Sequence, residues 1–473
     1  MASKNRGGKK SSPLGSSSHN SIDQGELLKK AIQRVVCEPI FKDFKKHGNS
    51  TWNPSSIAIL AILTAWMPSP QLTEAFAKAS ELSTKLFGVL AIQTYQGMMR
   101  AMVNNGSSLV MILWRQIQTL MEAVSPQYFR IDEWLPLAVD GSRFSTPRTE
   151  SNESAFAAKN YGYGTLARGR TKWKNKARRS KKIAPIKPQI WLTLIWHMGM
   201  KLPWCWKMGP STSSERHHLL DLLKNIVFPE KTLFCGDAGF VGYELWSTII
   251  QQGHSFLFRV GGNVRLVKKL AEVRQHEDLV YFWPNHIAKK NQAPLILRLI
   301  KLTTIQGTMY LVTNVLEEKE LGMKSLAKLY PLRWGIELQF RSAKQTFGLG
   351  TLRSRNAEHT MVELDWSLVA LTIVQLFAVQ EQSQIDIPPE RSSVSEAIKA
   401  IRHAVDTWNE IKPKGENLKA RLQRATKDDY RRTGSREARY KPNYKDKPHA
   451  RKPIVITATA KQRAKYRALP AAA

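Results

Sequence analysis

Four polar residues share one face of the segment YPLRWGIELQFRSAKQ, residues 330–345, if this segment is helical. At about 100° per residue, Arg333, Glu337 and Lys344 fall within roughly 40° of one another, and Tyr330 widens the stripe to about 60°. An Arg–Glu pair four residues apart is usually an exposed ion pair worth a few tenths of a kcal/mol. The alternative is that Glu337 is a catalytic carboxylate whose neighbours bind an anion.

Two aspartates favour the second interpretation. Asp140 follows the apolar segment LPLAV and precedes glycine, and Asp237 follows TLFCG and precedes alanine-glycine. Each motif alone is typical of a turn. However, two carboxylates just past buried strands are expected together at the edge of a sheet, where open α/β sheets bind their ligands.

The three carboxylates of Asp140, Asp237 and Glu337 would repel one another unless a cation compensated their charge. Oxygen ligands favour Mg²⁺ or Mn²⁺. Two such ions can activate a water or a sugar hydroxyl and stabilise the leaving oxygen of a phosphodiester. The three carboxylates are therefore predicted to be both catalytic residues and metal ligands, with Tyr330, Arg333 and Lys344 facing the scissile phosphate.

The elements around these residues predict a mixed α/β layout. IWLTLIWHM and LPWCWKM are typical of a hairpin, ERHHLLDLLKNIV of a helix and SFLFRV of a strand. Helical patterns dominate before this region, and strand patterns dominate between 262 and 316. The predicted domains are a disordered arm (1–21), a helical DNA-binding domain (22–128), an α/β core (129–261 and 328–380), a β-rich insertion (262–327), a helical segment that could dimerise (381–411) and a largely unstructured basic tail (412–473).

Composition points to a polyanionic partner. The 473 residues include 72 Lys and Arg against 38 Asp and Glu, a formal charge of +34, which makes nucleic acid the default partner. No apolar run of about 18 residues is evident, so no membrane partner is expected. The three cysteines form no CxxC pair, which argues against a disulfide framework or zinc finger and fits a reducing compartment.

Residues 161–190 carry ten Lys or Arg and no acid. Such a run is either solvated surface or a loop that contacts phosphates. The second interpretation predicts DNA contacts by Arg168, Arg170, Lys172 and Lys174. Arg259, near the end of SFLFRV, is a further candidate phosphate contact.

The chain resembles the bacterial insertion-sequence transposases of the DDE type that carry a Tyr-Arg-Glu-Lys signature. Two, three and six residues separate the members of that signature, and Tyr330, Arg333, Glu337 and Lys344 match every gap. The segments LAVDGSRF, FCGDAGF, SFLFRV and LVTN also look like that family. The resemblance covers about residues 130–380.

The resemblance implies a ribonuclease-H-like catalytic core with a β-rich insertion, a helical DNA-binding domain before it and a helical segment with a basic tail after it. It also implies cut-and-paste transposition by a homodimer on paired terminal inverted repeats, with two Mg²⁺ (Mn²⁺ possible) per active site, hairpin DNA ends and joining to target DNA. The expected location is the bacterial cytoplasm, with the nucleoid. Tyr310 would stack on a flipped base, and Trp283 is the other candidate.

Two other functions are compatible with the same residues. A domesticated relative would bind DNA as a regulator, and a stand-alone nuclease of the same fold would cut without joining. A metal-dependent joining assay on DNA with the correct ends separates these alternatives.

Overall fold

The computed structural model describes residues 24–46, 48–88, 92–157, 187–271, 278–304, 307–409, 416–428 and 452–469. The predicted arm (1–21) and residues 161–186 of the basic segment lie outside these stretches. Arg168, Arg170, Lys172 and Lys174 therefore stay predictions.

Helices fill most of the described chain before residue 130, as the apolar spacing predicts. Asn53 caps the second helix by accepting a hydrogen bond from the Ser55 N–H at 2.8 Å, and Thr94 caps the fourth by accepting one from the Gly97 N–H at 3.1 Å. The helices are α1 (Gln24–Val35), α2 (Pro54–Trp66), α3 (Leu72–Phe87), α4 (Tyr95–Val124) and α5 (Pro126–Phe129).

Ten strands among the described residues then form one mixed sheet. Its strands are β1 (Leu135–Ser145), β2 (Gln189–His197), β3 (Leu202–Pro210), β4 (Thr232–Gly236), β5 (Ser255–Val260), β6 (Arg265–Lys268), β7 (Leu279–Phe282), β8 (Leu295–Thr304), β9 (Gly307–Thr313) and β10 (Ile454–Thr457). Their spatial order is β10-β6-β7-β8-β9-β5-β4-β1-β2-β3. The mixed α/β prediction is confirmed.

One half of the sheet, ending at the edge strand β3, combines antiparallel with parallel strands. β1 and β3 both pair antiparallel with β2, whereas β1 pairs parallel with β4 and β4 pairs parallel with β5. Two helices provide the crossovers, α7 between β3 and β4 and α8 between β4 and β5. Their bounds, with those of two short helices elsewhere, are α6 (Glu150–Phe156), α7 (Glu215–Asn225), α8 (Tyr243–Gln251) and α9 (Asn285–Lys289).

The strand that carries Asp140 is longer than the sequence suggested. The expectation that Asp140 ends its strand is wrong, because β1 continues to Ser145 and pairs with β2 along that length. Only the parallel pairing with β4 stops before Asp140, at Ala138 and Cys235. Asp140 therefore lies in the middle of a strand, yet at the carboxyl end of the parallel part of the sheet.

The strands of residues 262–327 extend the same sheet, because β9 pairs antiparallel with β5. The expectation that residues 412–473 are largely unstructured is wrong for the described part. Ile454–Thr457 forms β10, which pairs parallel with β6, and the helix after it packs Tyr466 against Tyr281 and Trp283. The run Ile454–Thr457 consists of β-branched residues with high β-propensity, and it is ordered there by pairing with a partner distant in sequence.

The segment of residues 330–345 is not one continuous helix, contrary to the sequence prediction. Helix α10 (Met323–Leu332) ends near Pro331, α11 (Gly335–Arg341) begins after a tight turn, and a π-helical turn covers Ser342–Thr346. Pro331 has no N–H, and the next amides bond three residues back, as Arg333 N–H does to the Tyr330 carbonyl at 3.2 Å.

One long helix forms the common core of the N-terminal helices and the sheet. This helix, α12 (Ala357–Ser383), is long and apolar enough to cross a membrane by composition, but 89% of its apolar window is buried inside the protein. Trp66 of α2 donates its indole N–H to the Ala370 carbonyl at 3.0 Å. The remaining helices are α13 (Val394–Asp406), α14 (Leu418–Gln423) and α15 (Ala460–Arg467).

Candidate active site

Asp140 projects from β1 where the parallel pairing with β4 has ended. Its Oδ1 accepts a hydrogen bond from the Gly141 N–H at 2.8 Å. Burial raises its pKa to about 6. The Gly141 N–H and the Arg333 charge act in the opposite direction, whereas the charges of Asp237 and Glu337 raise the pKa further.

Asp237 follows the last residue of β4 and caps a single 3₁₀ turn, Ala238–Phe240. Its Oδ1 accepts a hydrogen bond from the Gly239 N–H at 2.7 Å. Both aspartates are thus oriented by a backbone N–H one or two residues further along the chain. Because β1 and β4 are neighbours, the two carboxylates are brought together from positions almost a hundred residues apart in the chain.

Glu337 lies on α11, and its side chain is 46% exposed. Its Oε1 lies 4.0 Å from Nη2 of Arg333, the outer limit of an ion pair. The charge of Glu337, like that of Asp237, raises the pKa of Asp140, so both carboxylates lie within electrostatic reach of Asp140.

Arg333 is buried in the turn between α10 and α11, with only 5% of its surface exposed. Its guanidinium lies 4.9 Å from the ring centre of Trp334 and 5.7 Å from that of Tyr330. Its Nε has no hydrogen-bond partner among the described residues. Arg333 is thus a buried guanidinium beside the carboxylate of Glu337, with one donor unused among the described residues.

Tyr330 and Lys344 hold parts of the site together in this structure. The Tyr330 hydroxyl donates to the Gly236 carbonyl at 3.3 Å, and Tyr330 is 2% exposed. Burial raises the pKa of Tyr330 to about 12. Lys344 donates to Ser142 Oγ at 2.6 Å and lies 5.0 Å from the ring centre of Phe144, and its burial lowers its pKa. Their contacts with DNA stay predictions.

The remaining candidates differ in position. Arg259 lies close enough to Tyr330 for its charge to lower the pKa of that hydroxyl, and its Nε is buried without a hydrogen-bond partner among the described residues. Tyr310 is half-buried on β9 opposite Val260, next to the pair formed by Arg259 and Leu311. Trp283 is 5% exposed and donates to the Gln292 carbonyl at 2.8 Å, so its ring is buried.

Glu215, the first residue of α7, is a fourth acidic residue that the sequence analysis did not single out. Its charge interacts with those of Asp140 and Asp237, and burial together with these two charges raises its pKa to about 7. An acid in the first turn of a helix is common because it favours the helix dipole, so Glu215 carried no distinctive signal. Glu215 is separated from Asp140 by α6, β2 and β3 and from Asp237 by β4, so its position along the chain provided no other indication.

The donor types at this site fit a hard divalent cation. The carboxylates of Asp140, Asp237 and Glu337 supply oxygen ligands of the kind that Mg²⁺ and Mn²⁺ prefer. Each aspartate has one oxygen engaged by a backbone N–H. Within the described stretches, no three His, Cys, Asp or Glu side chains converge closely enough to hold a metal ion as they stand. The chemistry of the donors fits such a cation.

Comparison with known proteins gives a family and a distant structural likeness. The family described as "Transposase DDE domain" matches residues 135–373, which include Asp140, Asp237, Glu215 and Glu337. Among solved structures, the chain is similar to one described as the cryo-EM structure of piggyBac transposase synaptic complex with hairpin DNA. The identity is 10%, the TM-score is 0.41, and the alignment covers 88% of each chain. No curated protein matches the sequence.

Proposed function

The chain belongs to the family of DDE transposase domains, and on this premise we propose that it binds terminal inverted repeats, cleaves both strands at the ends of a DNA element and joins the freed 3′-OH to target DNA. The family membership makes it a DNA transposase. The ends, the hairpin intermediate and the joining step belong to the proposal.

One observation carries the assignment of the active site. Asp140, Asp237 and Glu337 come from a mid-sheet strand, a strand end and a separate helix, and the charges of the other two both act on the carboxyl of Asp140. Carboxylates that repel one another are retained where a cation or a reaction requires them, although ion-pair networks can also perturb pKa values. A merely structural turn at Asp140 or Asp237 would not need Glu337 nearby.

The strand order supports a ribonuclease-H-like core as part of the proposal. In the order β3-β2-β1-β4-β5, an antiparallel hairpin precedes two parallel crossovers. Open sheets of this kind place ligands outside the carboxyl ends of their parallel strands. Asp140 and Asp237 both lie at that edge.

In this proposal, Asp140, Asp237 and Glu337 hold Mg²⁺ or Mn²⁺. When bound, such ions activate the attacking hydroxyl and stabilise the leaving oxygen of the phosphodiester. Arg333 and Arg259 would donate to the phosphate, because each has a buried Nε without a partner in the described chain. Tyr330 would keep the loop of Asp237 in place through its hydrogen bond to Gly236.

The DNA partner follows from charge and family together. With a formal charge of +34, the protein attracts a polyanion, and affinity for DNA should fall steeply as the salt concentration rises. We include in the proposal a homodimer that pairs the two ends, DNA contacts by Lys344 and by the segment around Arg168 and Lys174, and stacking of a flipped base on Tyr310. The proposed location is the bacterial nucleoid.

The test is excision and joining of a reporter gene bounded by the DNA that naturally flanks this gene. Asp140→Asn, Asp237→Asn and Glu337→Gln should each abolish nicking and joining but spare DNA binding, because an amide is nearly isosteric yet a poor ligand for a hard cation. Asp221→Asn is the matched control, since Asp221 is an exposed acid that pairs with Lys207 at 2.8 Å.

The three outcomes separate the proposed function from its alternatives. Cutting without joining would identify a nuclease, and binding without cutting would identify a regulator. Nicking at the wild-type rate by any of the three carboxylate variants would remove that residue from the active site.

A further inference from the structure

We propose that Glu215 is a fourth carboxylate of the active site and contributes, with Asp140 and Asp237, to holding its divalent cation. This inference rests on the proposed function, because it assigns a ligand to the same site. It adds a residue from α7, an element that the three-carboxylate pattern does not include.

The first observation is the position of the Glu215 carboxylate over β1. A Cβ added to Gly141 would lie 2.6 Å from Glu215 Oε1 and 2.9 Å from its Cδ. These distances are shorter than any real carbon contact, so a side chain at position 141 would push the Glu215 carboxylate out of its position. The glycine after Asp140, which alone suggested a turn, thus leaves room for the acid that stands beside it.

The second observation is the other oxygen of the same carboxylate. A Cβ added to Gly239 would lie 3.5 Å from Glu215 Oε2 and 2.9 Å from Asp237 Oδ1. Oxygens of two carboxylates therefore approach the same point. With one oxygen toward Gly141 of β1 and the other toward Gly239 of the 3₁₀ turn, the Glu215 carboxylate lies between the segments that carry Asp140 and Asp237.

The charge of Glu215 is not compensated by the protein around it. Among the described residues, no lysine or arginine forms an ion pair with it, and the charges acting on it most strongly are those of Asp140 and Asp237. A partly buried charge that meets only like charges is unfavourable unless it is neutralised. A divalent cation between these segments would relieve the repulsion among the carboxylates of Glu215, Asp140 and Asp237 at once.

A third observation concerns a buried donor near Asp140. Arg333 is 5% exposed, its charge acts on Asp140, and its Nε has no partner among the described residues. A cation held by Glu215, Asp140 and Asp237 would leave this buried donor for the phosphate that the cation attracts.

The experiment measures Mn²⁺ binding by the full-length protein without DNA, through the loss of the electron paramagnetic resonance signal of free Mn²⁺. Glu215→Gln should weaken Mn²⁺ binding at least tenfold, because the amide keeps the size but loses the charge of the ligand. Gly141→Ala should weaken it as well, since its Cβ displaces the Glu215 carboxylate. Asp221→Asn, on the same helix, should bind Mn²⁺ like the wild type.

Thermal unfolding distinguishes a ligand from a structural residue. For Glu215→Gln we expect an unchanged or higher Tm without metal, because the substitution removes repulsion, and a smaller rise in Tm on adding Mn²⁺. A lower metal-free Tm with normal Mn²⁺ affinity would overturn the inference and make Glu215 a structural residue.

The same titration separates this inference from the proposed function. If Asp140→Asn weakens Mn²⁺ binding and Glu215→Gln does not, the inference fails and the three-carboxylate site stands. If neither Asp140→Asn nor Asp237→Asn affects Mn²⁺ binding, the proposed active site fails as well.

Discussion

Replacing Gly335 with alanine should displace the helix that carries Glu337. A Cβ at this position would lie 2.1 Å from Cη2 of Trp196 and 2.7 Å from its Cζ3. Carbon atoms approach one another to about 3.5–4.0 Å, so the helix or the indole must move by about 1.5 Å. Trp196 is 2% exposed and belongs to β2, whose pairing on both sides restrains the indole. We therefore expect α11 to move.

The size of the effect follows from this displacement. Forcing an extra methyl group into a packed contact destabilises a protein by about 1–3 kcal/mol, which outweighs the gain of roughly 1 kcal/mol that alanine gives over glycine in a helix. Since Glu337 lies only two residues further along α11, its carboxylate should move as well. A shift of about 1 Å in a catalytic group can slow a reaction about 10²-fold.

Two measurements check this expectation, the Tm of the variant and its rate of end cleavage on the flanked reporter DNA. Gly335→Ala should lower the Tm and cut far more slowly. Gly106→Ala in α4 is the control, because its Cβ would meet only Trp366 Nε1, at 3.4 Å, and the helix should tolerate it. Trp196→Phe removes the atoms that clash, so it should restore part of the lost activity when combined with Gly335→Ala, judged against Trp196→Phe alone.

Wild-type cleavage and Tm in Gly335→Ala would refute this reasoning, because α11 would then not be positioned by its contact with β2. A loss of activity that Trp196→Phe does not restore would mean that the clash lies elsewhere.

Three further predictions concern the cations, a buried acid and the C-terminal strand. Arg333→Lys should slow hairpin formation more than the first nick on a labelled end, because lysine cannot donate two parallel hydrogen bonds to a phosphate; equal slowing of all steps would instead indicate support of the metal ligands. Burial raises the pKa of Asp365 from 3.8 to about 6, so the folded state binds more protons in that window and stability falls as the pH rises through it. In Asp365→Asn the side-chain oxygen still accepts the hydrogen bond from Trp206, which is 2.6 Å away in the wild type. The variant should therefore be more stable than the wild type above pH 6, by about 3 kcal/mol at most, and no more stable below pH 4, as measured by thermal or denaturant unfolding. An equal gain at both pH values would contradict this. Deleting residues 452–469 should lower the Tm and increase light scattering, because β6 loses its pairing with β10. Tyr466→Ala should also lower the Tm, but by less. An unchanged Tm in the deletion would show that β10 contributes nothing to the stability of the sheet.

The sequence allowed three acidic residues to be proposed for the site because each has a local pattern. Asp140 and Asp237 follow short apolar strands and precede glycine, and Glu337 has cations at helical spacing. What the pattern could not give was the actual backbone around them. β1 runs past Asp140 because it pairs with β2, a partner about fifty residues later in the chain.

Two features were missed for different reasons. The break at Arg333 was readable from Pro331 and Gly335, which interrupt helices, but the even spacing of polar residues suggested one helix. Glu215 was not readable, since an acid at the start of a helix is ordinary and only the fold brings it to Gly141 and Gly239. The strand signal of β10 was readable from its β-branched residues, but its pairing with β6, which is distant in the chain, was not.

The pairing of β10 with β6 has a consequence for the nascent chain during translation. Residues 265–268 leave the exit tunnel long before residues 454–457, so this margin of the sheet stays open through the synthesis of every helix from α10 to α14. During that interval the backbone of β6 is exposed to other nascent chains. The charges of Arg265 and Lys268 at the two ends of β6 oppose such encounters until the late strand arrives.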